Sequence, residues 1–487
     1  MKKFTTFLLA MLSFALFTHA ENIGVPAECE DVMLQCFYWD SYKTQSNTDS
    51  KYGRTKWVDL LKDTASITAN FDILWFPPSA YGDGGNGRGG VGYTHKQLSD
   101  QYSDWGQKAT LLKLIDALHR GNTKVLADIV INHRGNKSNW CDFLEDDFDG
   151  YGKFQLTQAH ICKADEGFTT PGSTCYGATL SERGAADTGD NFAGARDLDH
   201  TSEYVQEWAK AYVQWMLDSM RYDGFRYDMT LGFHGRYLSM YNEAAQPYLS
   251  VSELWHSIDR QKQHLEETNY NTMIFDFQQK YELHKAIVNG NYSKLKKNTN
   301  SFRGQDLERY AVTFVDNHDT FERDGYGENQ FGGQYCDLSK ASVKANVLQA
   351  YAYILSMPGV PCVFYPHWKS YQQEINDMIW VRKAAGIHSQ SQVLEESSDS
   401  YAYSAIIQGH QRKVMVRLGK NRDITIPSGY WRCVNGDHYS VYLEVGEGIE
   451  TVNGERRTVR GEKFIENGQL FIQVGENTYD ATGRLVK

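Results

Sequence analysis

Three carboxylates stand at the ends of short apolar runs. Asp228 closes Gly224-Phe225-Arg226-Tyr227-Asp228, Glu253 lies in Val251-Ser252-Glu253-Leu254-Trp255, and Asp319 ends Phe314-Val315-Asp316-Asn317-His318-Asp319. An apolar run that stops on an acid reads as a buried strand delivering a charged side chain to its rim. In a closed barrel of parallel strands all carboxyl ends open on one face, so acids remote in sequence can converge there on a substrate. Two such acids suit hydrolysis of a glycosidic bond: one protonates the leaving oxygen and the other attacks from the opposite side of the sugar, with retention when the carboxyls lie about 5 Å apart. Taken singly, each acid is better explained as a cap or a surface ion pair. Arg226 lies two residues before Asp228 and so shares its face of the strand, where a fixed charge can hold that carboxylate ionised and oriented.

The elements that would position these residues alternate between strand and helix, the signature of a parallel sheet with crossover helices. Leu111, Leu112, Ile115 and Leu118 recur at helical spacing, Gly121 supplies a stop, and Val125 to Ile131 reads as a buried strand. A second helix begins near Thr201 or Ser202, carries Val205, Trp208, Tyr212, Met216 and Met220 on one side, and ends at Asp223-Gly224 before the strand of Asp228. Further strands are expected at Met33 to Phe37, Phe71 to Phe76, Tyr248 to Glu253, Met273 to Phe277, Val312 to Val315 and Pro361 to Tyr365. With the two already placed they make up the set that closes a TIM (β/α)8 barrel. The stretch between His133 and Thr201, rich in Gly, Asp and Asn, is too long for a plain loop and reads as a small inserted domain. From about Gln392 short alternating runs, at Tyr401 to Ile407, Lys413 to Leu418 and Tyr439 to Leu443, indicate an antiparallel sheet. The expected layout is therefore an α/β barrel at 21–133 and 201–391, an inserted domain at 134–200 and a C-terminal antiparallel β domain at 392–487. Its tail from about 444, punctuated by Gly446, Gly448, Gly454, Gly461 and Gly468, reads as a few added strands, with a second contact surface or an export signal as alternatives.

A fourth segment, Asp128-Ile129-Val130-Ile131-Asn132-His133, precedes the three acid-bearing ones. In this order the set resembles the alpha-amylase family, family 13 of the glycoside hydrolases. Gly92-Tyr93, Asp187-Thr188-Gly189, Ala195-Arg196-Asp197-Leu198-Asp199-His200 and Gly359-Val360-Pro361-Cys362-Val363-Phe364-Tyr365 extend the likeness toward plant-type and related bacterial members, from about Met33 to about Tyr442. The resemblance implies Asp228 as nucleophile, Glu253 as acid/base and Asp319 as a third carboxylate holding sugar hydroxyls. It implies that His133 and His318 contact the sugar beside the cleaved bond and that Tyr93 stacks on it; alone, either histidine is more often structural. Trp255, two residues past Glu253, is a weaker candidate for stacking a sugar, with core packing as the alternative.

Calcium is the implied cofactor, held by Asn132, Asp197 and the backbone oxygen of Gly232, with Asp187, Asp190 or Asn191 as an added ligand, since a hard cation prefers such oxygens. The implied activity is endo-hydrolysis of alpha-1,4 bonds in starch, glycogen or maltodextrin with retention, through a covalent glycosyl intermediate on Asp228. Two departures limit the likeness. Leu231 stands where many members carry Lys or Arg, so that sugar contact is not carried over, and Cys362 stands where the chloride-dependent branch has Arg, so chloride activation is not implied. The Gly-rich run from Tyr81 to Gly90 is followed by no Lys-Ser/Thr and opens no helix, so it resembles a phosphate cradle only superficially; it reads as a mobile rim of the cleft.

Lys2 and Lys3, the apolar run Phe7 to Phe17 and then Thr18-His19-Ala20 fit a secretory signal peptide cleaved near Ala20. The mature protein is then expected outside the cytoplasm, periplasmic or extracellular, with no transmembrane span and as a monomer. The net charge is -11 and the basic residues form no stripe, which argues against a nucleic acid partner and suits a neutral glucan. Aromatic residues make up 13% of the chain, enough to supply stacking platforms for sugar faces without showing that they do so. All eight cysteines lie beyond the signal segment, with no CxxC pair and hence no expected zinc cluster. Export permits disulfides. Cys162 and Cys175, which flank one loop, are the expected pair, and Cys36 and Cys362 are expected as buried free thiols.

Overall fold

Strands of three to six residues, mostly apolar and almost entirely buried, form the centre of the molecule. The computed structural model describes residues 22–43, 52–85, 87–90, 92–296, 298–321, 338–445, 462–466, 469–474, 477–480 and 486; the expected signal segment, Cys336 and much of the tail lie outside them. The strands are β1 (Met33–Gln35), β2 (Ile73–Trp75), β3 (Lys124–Ile129), β4 (Gly224–Tyr227), β5 (Leu249–Ser252), β6 (Met273–Phe275), β7 (Ala311–Phe314) and β8 (Val360–Phe364). All neighbours are parallel, and β1 pairs with both β2 and β8, closing the barrel in sequence order. Each barrel strand expected from the sequence is one of these eight.

Buried on both faces, such strands need mostly apolar residues, as parallel strands covered by helices do, and the polar exceptions, such as Asp128 and Arg226, pair with each other. Gly224 opens β4 because a Cβ there would lie 2.1 Å from the carbonyl oxygen of Leu249 on the adjoining strand. The helix Lys108–Arg120 buries Leu111, Leu114, Ile115 and Leu118, while Leu112, expected on the buried side, is only half-buried. The helix Glu203–Asp218 buries Val205, Trp208, Tyr212 and Met216 and ends ahead of β4, as the spacing predicts.

Between β3 and the helix Glu203–Asp218 the chain makes short elements. The pair His133–Arg134 with Arg196–Asp197 sets His133 opposite Asp197, so the two ends of this excursion meet at the barrel rim. One disulfide closes it, and it is not the expected one. Cys175 bonds Cys141, and Cys162 is free. The reason lies in the backbone: Thr174 Oγ accepts from the Cys141 peptide N–H at 3.0 Å and donates to the Asn139 carbonyl, whereas the Cys162 N–H is tied to the carbonyl of Asp197 at 2.9 Å. Cys36 and Cys362 are buried and free, as expected.

A five-stranded antiparallel sheet follows: β9 (Gln392–Ser398), β10 (Tyr403–Gln408), β11 (Lys413–Leu418), β12 (Tyr430–Gly436) and β13 (Tyr439–Glu444), in spatial order β9-β10-β11-β13-β12. The sequence marks β10, β11 and β13 but not the two edge strands, which bury little and so lack a clean alternation. A three-stranded antiparallel sheet over Glu462–Glu466, Gln469–Val474 and Asn477–Asp480 completes the described chain. No helix among the described residues is long and apolar enough to cross a membrane.

Candidate active site and cation cage

The register of β4 decides the centre of the site. Arg226 pairs laterally with Asp128 on β3 and with Val251 on β5, and Asp228 follows two residues later on the same face. The Arg226 guanidinium, 1% exposed, therefore binds Asp128 at 2.7 Å and Asp228 at 2.8 Å through Nη1, and Glu253 at 2.9 Å through Nη2. It also lies over the ring of Trp75, 5.1 Å from its centroid. One cation thus gathers three carboxylates.

Local backbone fixes the two outer acids. Met229, directly after Asp228, takes a left-handed conformation with φ +49°, an uncommon state for a residue with a side chain and one that clusters at functional sites. It points the Met229 N–H at Glu253 Oε2, 3.2 Å away. Thr230 donates from its hydroxyl to the Glu253 carbonyl at 2.7 Å, tying the ends of β4 and β5 together.

A hydrogen-bonded relay flanks the carboxylates. Gly92, at φ +96° with Pro78 packed against its α-carbon, turns the chain so that Tyr93 faces the rim. The Tyr93 hydroxyl donates to Asp128 at 3.0 Å and contacts His318 Nε2 at 2.8 Å. Gln35 Nε2 lies 2.9 Å from His318 Nδ1; with that amide donating, the ring hydrogen is assigned to Nε2. Asp319 receives the indole N–H of Trp39 at 3.2 Å and lies 3.3 Å from His318 Nε2. Burial raises the Tyr93 phenol, with Asp128 adding to the effect, so Tyr93 stays a donor.

Burial also dominates the acids. Asp228 is raised well above the ordinary carboxylate range by desolvation; Arg226 opposes this, while Glu253, Asp128 and Asp319 add to it. Desolvation pushes Asp128 up to about 6 against the pull of Arg226. With a single guanidinium among so many carboxylates, the cluster favours retaining a proton, and that proton belongs to the group as a whole.

Sequence reasoning brought Asp228, Glu253, Asp319, Arg226, Tyr93 and His318 to one place but assigned nothing to Asp128, Gln35, Trp39 or Trp75. For Asp128 the signal was available, since period two puts it on the inward face of β3. Trp255 is not held in this network by any contact described; its ring stacks on Phe277 at 4.8 Å and leans on Tyr281, which is the packing alternative.

A second cluster lies beside the first. His133 is pushed down to about 4 by burial and is neutral; its Nε2 contacts the Tyr93 carbonyl at 2.8 Å, and its ring stacks on Phe192 at 4.0 Å. The Asn132 amide nitrogen lies 3.3 Å from His133 Nδ1, which turns Asn132 Oδ1 away, and that buried oxygen has no hydrogen-bond donor. Asp197 Oδ1 and Oδ2 and Asp187 Oδ2 are likewise buried without a donor at full hydrogen-bonding geometry, although the Phe192 peptide N–H faces Asp197 and works against the rise that burial causes. Gly232 sits against this group: a Cβ there would lie 2.0 Å from Asn132 Oδ1. The loop after Asp187 is held on the same turn by the Asp190 N–H, which donates to the Leu231 carbonyl at 2.8 Å. Desolvation and the facing Asp187 carboxyl push Asp197 up to about 9. Buried acceptors without donors are rare in folded proteins. A cage of carboxylate and amide oxygens lacking donors fits a hard cation.

No protein-family model matches the chain. Over 438 residues the chain is 29% identical to probable alpha-amylase 2 of Arabidopsis thaliana, covering 85% of this chain and 94% of that one. It is also 29% identical over 436 residues to the chloroplastic alpha-amylase 3 of the same plant; that match covers 85% of this chain but spans only 43% of the relative's length. A shorter match to the alpha-amylase type B isozyme of Hordeum vulgare is 36% identical over 139 residues and covers 28% of this chain and 80% of that one. Among solved structures, an alpha-amylase from Malbranchea cinnamomea superposes with a TM-score of 0.57 at 15% identity, covering 85% of this chain and 96% of that one, a likeness of fold.

Proposed function

Because the chain belongs to the alpha-amylase family of glycoside hydrolases, family 13, we propose that it cleaves internal alpha-1,4 bonds of starch, glycogen and maltodextrins with retention of configuration. The observation that carries this reading is the shared guanidinium: Arg226 lies 2.8 Å from Asp228 and 2.9 Å from Glu253, holding two acids in one orientation at the barrel rim. Asp228 attacks the anomeric carbon as the glycosidic bond breaks, forming a glycosyl-aspartate, while Glu253 delivers its proton to the leaving oxygen. Glu253 then takes a proton from water, and that water's oxygen releases the sugar from Asp228.

Arg226 favours the ionised nucleophile electrostatically against the burial that raises it. Asp319, anchored by Trp39, accepts sugar hydroxyls and stabilises the cationic transition state. His318, Tyr93 and His133 line the same sugar. Asn132, Asp197 and the Gly232 carbonyl, with Asp187, hold calcium; when bound it supplies the positive charge these oxygens lack. The protein acts as a monomer on a glucan, after export and cleavage near Ala20, and its barrel at 21–133 and 201–391 carries the inserted domain 134–200 and the C-terminal domain 392–487.

The test follows purified protein on amylose by iodine colour and by the chain length and anomer of the products. Rapid colour loss with mixed alpha-anomeric malto-oligosaccharides is expected. Slow colour loss with a single short product would replace endo-action by exo-action, and beta-anomeric products would overturn the covalent intermediate.

A further inference from the structure

The free thiol of Cys162 points into the cation cage. Its sulfur and one oxygen each of Asp187 and Asp197 all lie within 4.8 Å of one another. Cys162 is 1% exposed and Asp197 0%. Backbone bonding holds the thiol there: the Cys162 N–H donates to the Asp197 carbonyl at 2.9 Å, and Ile161 bridges Leu198 on the next residue pair. Because Cys175 is engaged with Cys141, no disulfide draws Cys162 away. Independently of the thiol, Asn132 Oδ1 and both Asp197 oxygens are buried without a donor at full hydrogen-bonding geometry.

We propose that Cys162 is a ligand in this cage, so that the centre takes a thiophilic divalent cation of the zinc and cadmium class in competition with calcium. A hard cation has no use for sulfur, since its ligands are oxygens. A softer cation gains from it: thiolate is the ligand that separates zinc-like from calcium-like sites. Zinc bonds of about 2.3 Å to sulfur and about 2.0 Å to oxygen place tetrahedral neighbours roughly 3.3–3.5 Å apart, inside the limit set by the three side chains. Binding converts the thiol to a thiolate as the sulfur–metal bond forms, and the proton passes to the buffer. The inference rests on the proposed calcium reading only for the identity of the competing ion.

The experiment strips the full-length protein with a chelator and titrates it with Cd2+, reading the ultraviolet thiolate-to-metal absorption and the melting temperature. We expect an absorption band that saturates near one equivalent. Excess Ca2+ should abolish it in the wild-type protein, a readout that needs no variant to fold. In Cys162→Ser the band should be absent and the Cd2+ dissociation constant raised about tenfold or more, while the rise in melting temperature with Ca2+ stays. A band that persists in Cys162→Ser assigns the sulfur to another cysteine and overturns the proposal. So does a wild-type protein that Ca2+ stabilises without losing the band. If Ca2+ leaves the melting temperature unchanged while Cd2+ raises it through Cys162, the calcium reading fails and the thiolate site stands. If Ca2+ stabilises and no band forms at all, calcium stands and the thiolate site fails.

Discussion

The active cluster and the cation cage are neighbours at one rim and solve the same problem differently. Both bury carboxylates, and desolvation raises Asp128 and Asp228 in the one and Asp197 in the other. In the cluster, Arg226 answers Asp128, which rises only to about 6. In the cage, Asp197 faces Asp187, with no ion pair to either among the described residues, and rises to about 9. The protein therefore carries its own counter-ion where it needs permanently oriented acids. Where it joins the excursion after β3 to the barrel, it leaves buried oxygens without donors, which on the proposed reading take an ion from solution. On the proposed reading the difference also separates chemistry from scaffolding: a neutral replacement in the cluster should remove function, whereas a change in the cage should alter stability.

The sharpest break of this comparison is Asp228→Asn or Glu253→Gln. Each should lower kcat by about a thousandfold or more while leaving the melting temperature unchanged or higher, because a neutral amide is easier to bury than either acid. Near-normal turnover in either variant removes that residue from its assigned role. Next in size, Arg226→Met strands Asp128, Asp228 and Glu253 without their cation, and denaturant unfolding at neutral pH should lose about 3–5 kcal/mol. That loss should shrink at acid pH as the acids protonate. A loss independent of pH would mean that the arginine acts through packing.

Chelation comes third. At a free calcium level about a hundredfold above its dissociation constant the ion contributes roughly 2.7 kcal/mol, so chelation should lower the melting temperature and added calcium restore it. An unchanged melting temperature would remove calcium from the cage. The smallest effect concerns pH. The Asp128 carboxyl is raised in the fold from 3.8 to about 6. Its contribution to stability is therefore complete below the unfolded value and is lost as pH rises through about 6. Asp128→Asn should flatten the dependence of melting temperature on pH across that window, and an unaltered slope would show that Arg226 compensates the charge in full.

Much of this architecture is legible in sequence because burial enforces pattern. All eight barrel strands announce themselves as apolar runs, and Arg226 and Asp228 share a face by period two alone. The edge strands β9 and β12 do not, since a strand that buries little is under no such constraint. Leu112 and Leu114 show the same limit on a helix, where one residue of rotation decides which leucine is covered.

What the chain's order of residues determined by itself was the fold class and the approach of Asp228, Glu253 and Asp319 to one rim, because strand direction and side-chain alternation are local rules. What only the tertiary structure decided was pairing across distance. Asp128 meets Arg226 through the lateral register of β3 and β4. Cys175 finds Cys141 rather than Cys162, because the loop's hydrogen bonds run to 139–141. Cys162 is left facing Asp187 and Asp197. Each of these depends on which strands and loops lie side by side, and no spacing along one chain encodes that.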